Sequence, residues 1–216
     1  MRAYVINLDK DGARLARVTR ECVAAAIPCE RFPAVEGRRL APLPNHSTGR
    51  MMSQGATGCF LSHRALWQRI AALAEPAMIL EDDIGMRSDA RASIEWAMGA
   101  LPAWDVLMLE CSERAYWLPG DCVFADCDRV LERLVRLGRN RSLMPVHARN
   151  PRLSCIPGTR AYVATPLGAA KLLRYPTAPP DVVLAAAVVS DVAGFAFSPP
   201  LAFLSPEHDG VSNTST

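Results

Sequence analysis

A chain of 216 residues, half of them apolar and 21% charged, has material for one α/β core and is too balanced in composition to be disordered or fibrous. A net charge of +2 supplies no field for nucleic acid, and no such partner is expected. Seven cysteines, an odd number without the dense spacing of a secreted scaffold, suit a reducing compartment, so a cytoplasmic location is expected.

The opening apolar run, 3–8, predicts a strand. Asn7, Asp9 and Lys10 interrupt it too early for a secretory signal. Leu15, Val18, Cys22, Val23 and Ala26 follow at helical spacing. Ile27-Pro28 stops that helix, and residues 30–35 resume an extended pattern, which predicts a βαβ unit with a parallel sheet. Residues 38–56, rich in Pro, Gly, Asn and Ser, read as a mobile surface segment. A helix is predicted over 58–74 with Thr57 as N-cap and Cys59, Leu66, Ile70 and Leu73 on one stripe.

Residues 77–80 form a buried strand that runs into Glu81-Asp82-Asp83. Carboxyl ends of strands are where open α/β sheets bind ligands. Ser88 is placed to cap a helix carrying Ile94, Met98 and Leu101, and the strand 105–110 ends in a further acid, Glu110. From 133 to 152 there are six arginines, His147 and no acid; this stretch reads either as a mobile flap over anionic substrate or as a plain solvated loop. A strand at 161–164 leads into Thr165-Pro166, an N-cap and N1 pair for a helix to about Arg174. Residues 182–189 are apolar but far short of the roughly 20 residues of a membrane helix. Short strands at 195–197 and 201–204 close the pattern.

Like charges a few ångströms apart raise each other's pKa, so a run of three acids is stable either as a solvated strand end or around a divalent cation. Taken alone, the run supports both equally. The ion would be Mg²⁺ or Mn²⁺, hard cations that share carboxylates with nucleotide phosphates. Ser62 and His63 are adjacent on a helix, about 100° apart around its axis, which argues against a hydrolase dyad. Trp67 and Trp104 are assigned to the core, and Trp117 to a loop where it could stack on a sugar. A receiver-like signalling domain is an alternative with an acidic pocket, but its acids follow the first strand, where this chain has only Asp9.

The segment Gly55-Ala56-Thr57-Gly58-Cys59-Phe60-Leu61-Ser62-His63-Arg64-Ala65-Leu66-Trp67, followed by Ile79-Leu80-Glu81-Asp82-Asp83, resembles the central motif pair of glycosyltransferase family 25. That family contains bacterial lipooligosaccharide and procollagen galactosyltransferases. Val5-Ile6-Asn7-Leu8-Asp9, Pro33-Ala34-Val35-Glu36-Gly37, Gly158-Thr159-Arg160-Ala161-Tyr162-Val163 and Pro180-Asp181-Val182-Val183 are similar to its other motifs, in the same order. The likeness is weakest over 113–152.

The resemblance implies a single glycosyltransferase-A-type, Rossmann-like α/β domain over 1–216 with a mixed, mostly parallel sheet. It implies transfer of a hexose, galactose above others, from a UDP-sugar to a hydroxyl of a glycan, lipooligosaccharide or other acceptor. The reaction would invert the anomeric centre with Mn²⁺ or Mg²⁺ present, and membrane contact would be at most peripheral. Carried onto this chain, Asn7 and Leu8 wall the nucleoside pocket, and Arg14 is either a phosphate or nucleotide partner or a plain helix-surface arginine. Asp83 ligates the metal and Glu81 reaches metal-bound water, metal or ribose; Asp82 is grouped with the nucleotide contacts or points away, and His63 is either a contact to diphosphate or acceptor or a core-packing histidine. His208 is a further candidate metal ligand, although a lone surface histidine is the safer reading. Asp181 is the first choice of general base, with a helix N-cap as its plain alternative, and Glu110 is the second. A nucleotide-sugar binder without turnover is the remaining alternative.

Overall fold

The computed structural model describes residues 1–101, 103–110, 117–124, 133–137 and 158–205, with the backbone alone for 117–124 and 133–137. In chain order the first elements are β1 (Arg2–Asn7), α1 (Gly12–Ala24), β2 (Cys29–Pro33), a 3₁₀ turn (Gly37–Arg39), β3 (Pro44–Asn45) and β4 (Arg50–Met51). Then come α2 (Gln54–Ala71), β5 (Ala77–Glu81), β6 (Ile84–Met86), α3 (Ala90–Ala100), β7 (Val106–Met108), β8 (Trp117–Phe124) and β9 (Arg133–Leu137). The last are β10 (Ala161–Ala164), α4 (Pro166–Leu172), α5 (Pro180–Ser190), β11 (Gly194–Ser198) and β12 (Ala202–Leu204).

The main sheet has the order β2-β1-β5-β10-β7-β11-β9-β8. Strands β2, β1, β5, β7 and β11 share one direction, and β10 runs against its neighbours β5 and β7. The centre is thus the mixed, mostly parallel, Rossmann-like sheet that the resemblance implies, and β9 and β8 extend it with antiparallel pairs. Because β5, β7 and β10 are apolar along their length, both of their faces require cover. Alternation along β5 divides it accordingly. Ala77 and Ile79 join Leu66, Trp67, Ile70, Leu172 and Leu184 from α2, α4 and α5. Met78 and Leu80 join Val18, Cys22, Ile94 and Ala97 from α1 and α3.

Local chemistry moves several predicted boundaries. Helix α2 starts earlier, because Ser53 is the N-cap and its hydroxyl accepts the Ala56 N–H at 3.1 Å. Thr57 lies inside the helix and accepts the Leu43 N–H instead. At α3 the N-cap position is Asp89 rather than Ser88, and its carboxylate is turned to Arg87 instead of capping. Thr165 does cap α4, accepting the Gly168 N–H at 2.9 Å. Residues 38–56 carry the end of the 3₁₀ turn, the β3–β4 pair and the start of α2. Part of the arginine-rich stretch, Arg133–Leu137, is strand β9 paired with β11; the remainder of that stretch, and with it the flap, lies outside the described residues. Among the described residues no helix is long and apolar enough to cross a membrane.

Helix α2 presses directly on the chain that follows β2. A Cβ on Gly37 would sit 1.8 Å from the Gln54 carbonyl oxygen, and one on Gly58 would sit 2.5 Å from that of Val35. Both neighbours are backbone and cannot rotate away. Gly37→Ala should therefore destabilise the fold by about 2–3 kcal/mol, the cost of forced overpacking, measured as a lower urea midpoint.

On the opposite face Cys22 of α1 packs in the same apolar cluster as Cys29 at the start of β2. The neighbouring Cys22 thiol, opposed by burial and helped by Thr19, lowers the Cys29 thiol to about 7. Since the thiolate is the reactive form, alkylation of Cys29 should rise with pH to half its plateau near pH 7. Cys22→Ser should move that midpoint, which peptide mapping after iodoacetamide would follow.

Candidate functional site

The reversed strand β10 builds the site. Since it opposes β5 and β7, its entry residues Thr159 and Arg160 lie at the sheet edge where β5 and β7 finish. Glu81, the last residue of β5, donates its N–H to the Arg160 carbonyl at 2.7 Å. Its Oε1 accepts the Thr159 hydroxyl at 2.9 Å. Arg160 NH1 reaches Glu110 Oε1 at 2.7 Å, and Arg160 Nε lies 3.5 Å from Asp83 Oδ2. Beyond the acids, β6 pairs with β12, and the Ser205 N–H donates to the Asp83 carbonyl at 2.8 Å. The acid run is thereby gripped on both sides by sheet.

Helix α1 supplies Arg14, whose NH2 is 2.7 Å from Asp82 Oδ1 and 3.7 Å from Asp83 Oδ2. Asp82 Oδ2 accepts Asn7 Nδ2 at 2.7 Å. Asn7 also donates to the Asp11 carbonyl and accepts Arg31 Nε. Burial pushes the Asp82 carboxyl up, with Arg14 and Asn7 opposing. Burial likewise raises Glu110, partly offset by Arg160. For Glu81 burial also acts upward, but His63, Thr159 and Arg160 outweigh it and hold the carboxyl below its ordinary value.

Behind Glu81 is a buried chain of polar groups. Trp67 Nε1 can only donate, and it donates to the Tyr162 hydroxyl oxygen at 2.8 Å. The Tyr162 oxygen also lies within hydrogen-bond reach of His63 Nδ1, 2.9 Å away, with the two rings 13° from parallel. His63 Nε2, the other ring nitrogen, points toward Glu81, 3.4 Å from its Oε1. That separation is longer than a hydrogen bond, and Nε2 is buried without a hydrogen-bond partner. Ser62 turns elsewhere, donating to the Gly58 carbonyl and accepting the Val35 N–H, so the two side chains diverge as the helix geometry requires.

A cleft of about 120 Å³ is lined by Asn7, Leu8, Arg14, Cys59, His63 and the acids 81–83, among others. An adjoining depression of about 430 Å³ shares Leu8 and Ala34 with it and includes Lys10 and Arg39. Of the residues singled out in the sequence, Asn7, Leu8, Arg14, His63, Glu81, Asp82 and Asp83 therefore meet at one place. Glu110 joins them through Arg160. Asp181 lies in the first turn of α5, where Pro179 occupies the N-cap position. Its charge helps raise the thiol of Cys59, which lines the cleft. His208 and the Trp117 side chain lie outside the described residues. Thr159, Arg160 and Tyr162 belong to a motif read as a strand; nothing in their spacing says that this strand is reversed and brings them to the acids.

Fold and site together define a Rossmann-like α/β protein with an acidic ligand cleft at the carboxyl edge of its sheet. Residues 1–184 match the model of glycosyltransferase family 25, described as LPS biosynthesis protein, and the chain belongs to that family. This disposes of the receiver-like alternative. A glycosyltransferase 25 family member of Anopheles gambiae is 30% identical over 118 residues, 43% of this chain and 20% of the relative. Procollagen galactosyltransferase 1 of Danio rerio is 30% identical over 95 residues, 38% and 16%. Inactive glycosyltransferase 25 family member 3 of Mus musculus is 28% identical over 125 residues, 49% and 21%. The matched stretch of this chain thus spans about a fifth of the length of these relatives.

Proposed function

We propose that this chain transfers a hexose, galactose first among candidates, from a UDP-sugar to a hydroxyl of a glycan or lipooligosaccharide acceptor, with inversion, at the cytoplasmic side of the cell. The observation that carries the reading is the cleft in which Glu81 and Asp83 stand beside Arg14, next to Asn7 and Leu8. Cations and carboxylates at one sheet edge suit a diphosphate accompanied by a hard dication.

The residues fit such an ion. Glu81 and Asp83 offer carboxylate oxygens to the cleft, whereas Asp82 has both oxygens engaged by Arg14 and Asn7. Asp83 and Glu81 would hold Mn²⁺ or Mg²⁺, and the ion would offset charge developing on the departing diphosphate. Arg14 is placed to share a phosphate oxygen, since it lines the cleft beside the acids. Asn7 and Leu8 wall the space toward the adjoining depression, into which a nucleoside extends, because about 120 Å³ is below the ~300–1,000 Å³ of ligand pockets. Asp181 is the base that takes the acceptor hydroxyl proton. Glu110 is less suited, because Arg160 holds one oxygen and the other is buried against Gly158.

The test is release of UDP from UDP-galactose by the purified chain in Mn²⁺, with and without saccharide acceptors and EDTA. Metal-dependent release is expected; a preference for GDP-sugars, or indifference to EDTA, would overturn donor or metal. Binding without turnover is the second reading, favoured by the relative named inactive. Calorimetric UDP-sugar binding with no turnover on any acceptor would establish it.

A further inference from the structure

We propose that Cys59, His63 and Glu81 form a binding site for a thiophilic transition-metal dication of the Zn²⁺ type on the inner wall of the cleft. Cys59 and His63 are four residues apart on α2 and so share one helix face. Glu81 faces them from the end of β5. One donor atom from each lies within 4.8 Å of the other two. Bonds of about 2.0–2.3 Å in a tetrahedral site place donors roughly 3.3–3.8 Å apart, so a shift of about 1 Å by the Cys59 and Glu81 side chains closes the set.

An independent observation points to a ligand here. His63 Nε2 is fully buried, aimed at this space, and has no hydrogen-bond partner. Each nitrogen or oxygen donor is also held from behind as metal ligands usually are: His63 by Tyr162, Glu81 by Thr159. The cleft supplies an entry path and leaves a fourth position open. On binding, the Cys59 thiol loses its proton to solvent. His63 binds the ion through Nε2 as a neutral ring whose proton is on Nδ1, within hydrogen-bond reach of the Tyr162 oxygen.

A thiolate with an imidazole selects soft ions, whereas the carboxylates of Glu81 and Asp83 select hard ones. Glu81 belongs to both sets, so the soft ion excludes the hard one and zinc inhibits the reaction proposed above. The site itself does not depend on that reading; only its inhibitory consequence does.

Co²⁺, a spectroscopic substitute for Zn²⁺, tests the site on the intact chain without nucleotide. The expected result is a near-ultraviolet sulfur-to-cobalt charge-transfer band that one equivalent of Zn²⁺ displaces. Cys59→Ser should remove the band and weaken Zn²⁺, in competition with a chromogenic chelator, by about tenfold or more, since loss of an outer partner alone costs about that much. A melting curve without metal verifies that the variant is folded. Glu81→Gln should weaken Zn²⁺ while keeping the sulfur band. Absence of the band in the wild-type chain, or its persistence in Cys59→Ser, overturns the proposal. Absence of any transferase activity would strike the function proposed above and leave the cobalt spectrum as the readout of this site.

Discussion

Asp83→Asn is expected to abolish UDP-sugar turnover while changing stability by no more than about 1 kcal/mol. Asp83 contacts Arg14 at 3.7 Å and Arg160 at 3.5 Å, both longer than hydrogen bonds. Each arginine keeps a shorter partner, Arg14 with Asp82 and Arg160 with Glu110, both at 2.7 Å. The substitution preserves volume and removes one formal charge from a largely buried cluster in which both arginines give up only their longer contact and keep the shorter one. At a metal the same change replaces an anionic oxygen ligand by a neutral one. Mn²⁺-dependent UDP release and a thermal melt on the same sample check both halves. Turnover in Asp83→Asn close to wild type would remove this residue from the metal site.

A comparable loss is expected from Asp181→Asn, on the order of 10²-fold or more in kcat with donor affinity little changed, because a general base acts on the acceptor hydroxyl and not on donor binding. Its place in the first turn of α5 also makes a favourable dipole contact, worth about 0.3–1 kcal/mol, so a small drop in Tm accompanies the kinetic defect. A drop in Tm with full activity per folded molecule would leave only the helix role. Glu110→Gln discriminates the other way. It frees Arg160, and the expected effect is a weaker hold on donor or metal rather than on kcat. A kcat defect confined to Glu110→Gln would exchange the two assignments.

Much of this was readable in the sequence, for reasons that differ from element to element. Apolar runs ending in charge located β1, β5 and β7, because a strand covered on both faces has no choice but to be apolar. The acids 81–83 announced themselves by the cost of crowding like charges. Strand β10 was also found, but not its direction, since orientation is set by chain path and leaves no mark on a four-residue run of buried side chains. With the direction went Thr159, Arg160 and Tyr162 as parts of the site. Thr57 was misplaced as a cap because Ser53, four residues earlier, offers the same hydroxyl chemistry and Gly55 does not prevent the helix from starting there. Cys22 and Cys29 are distant enough in the chain to look unrelated, and only the packing of α1 on β2 joins them.

The hydrogen bond from the Glu81 amide to the Arg160 carbonyl has a consequence for motion. A site residue on a loop opens with the loop, at small free-energy cost, but Glu81 is fastened between two buried central strands. Its amide cannot meet solvent unless β5 and β10 separate, which means loss of the apolar core on both faces. Hydrogen exchange at Glu81 should therefore proceed only by global opening, at the rate of the slowest amides of β5 and β1, and its protection should fall in step with total stability as denaturant is added.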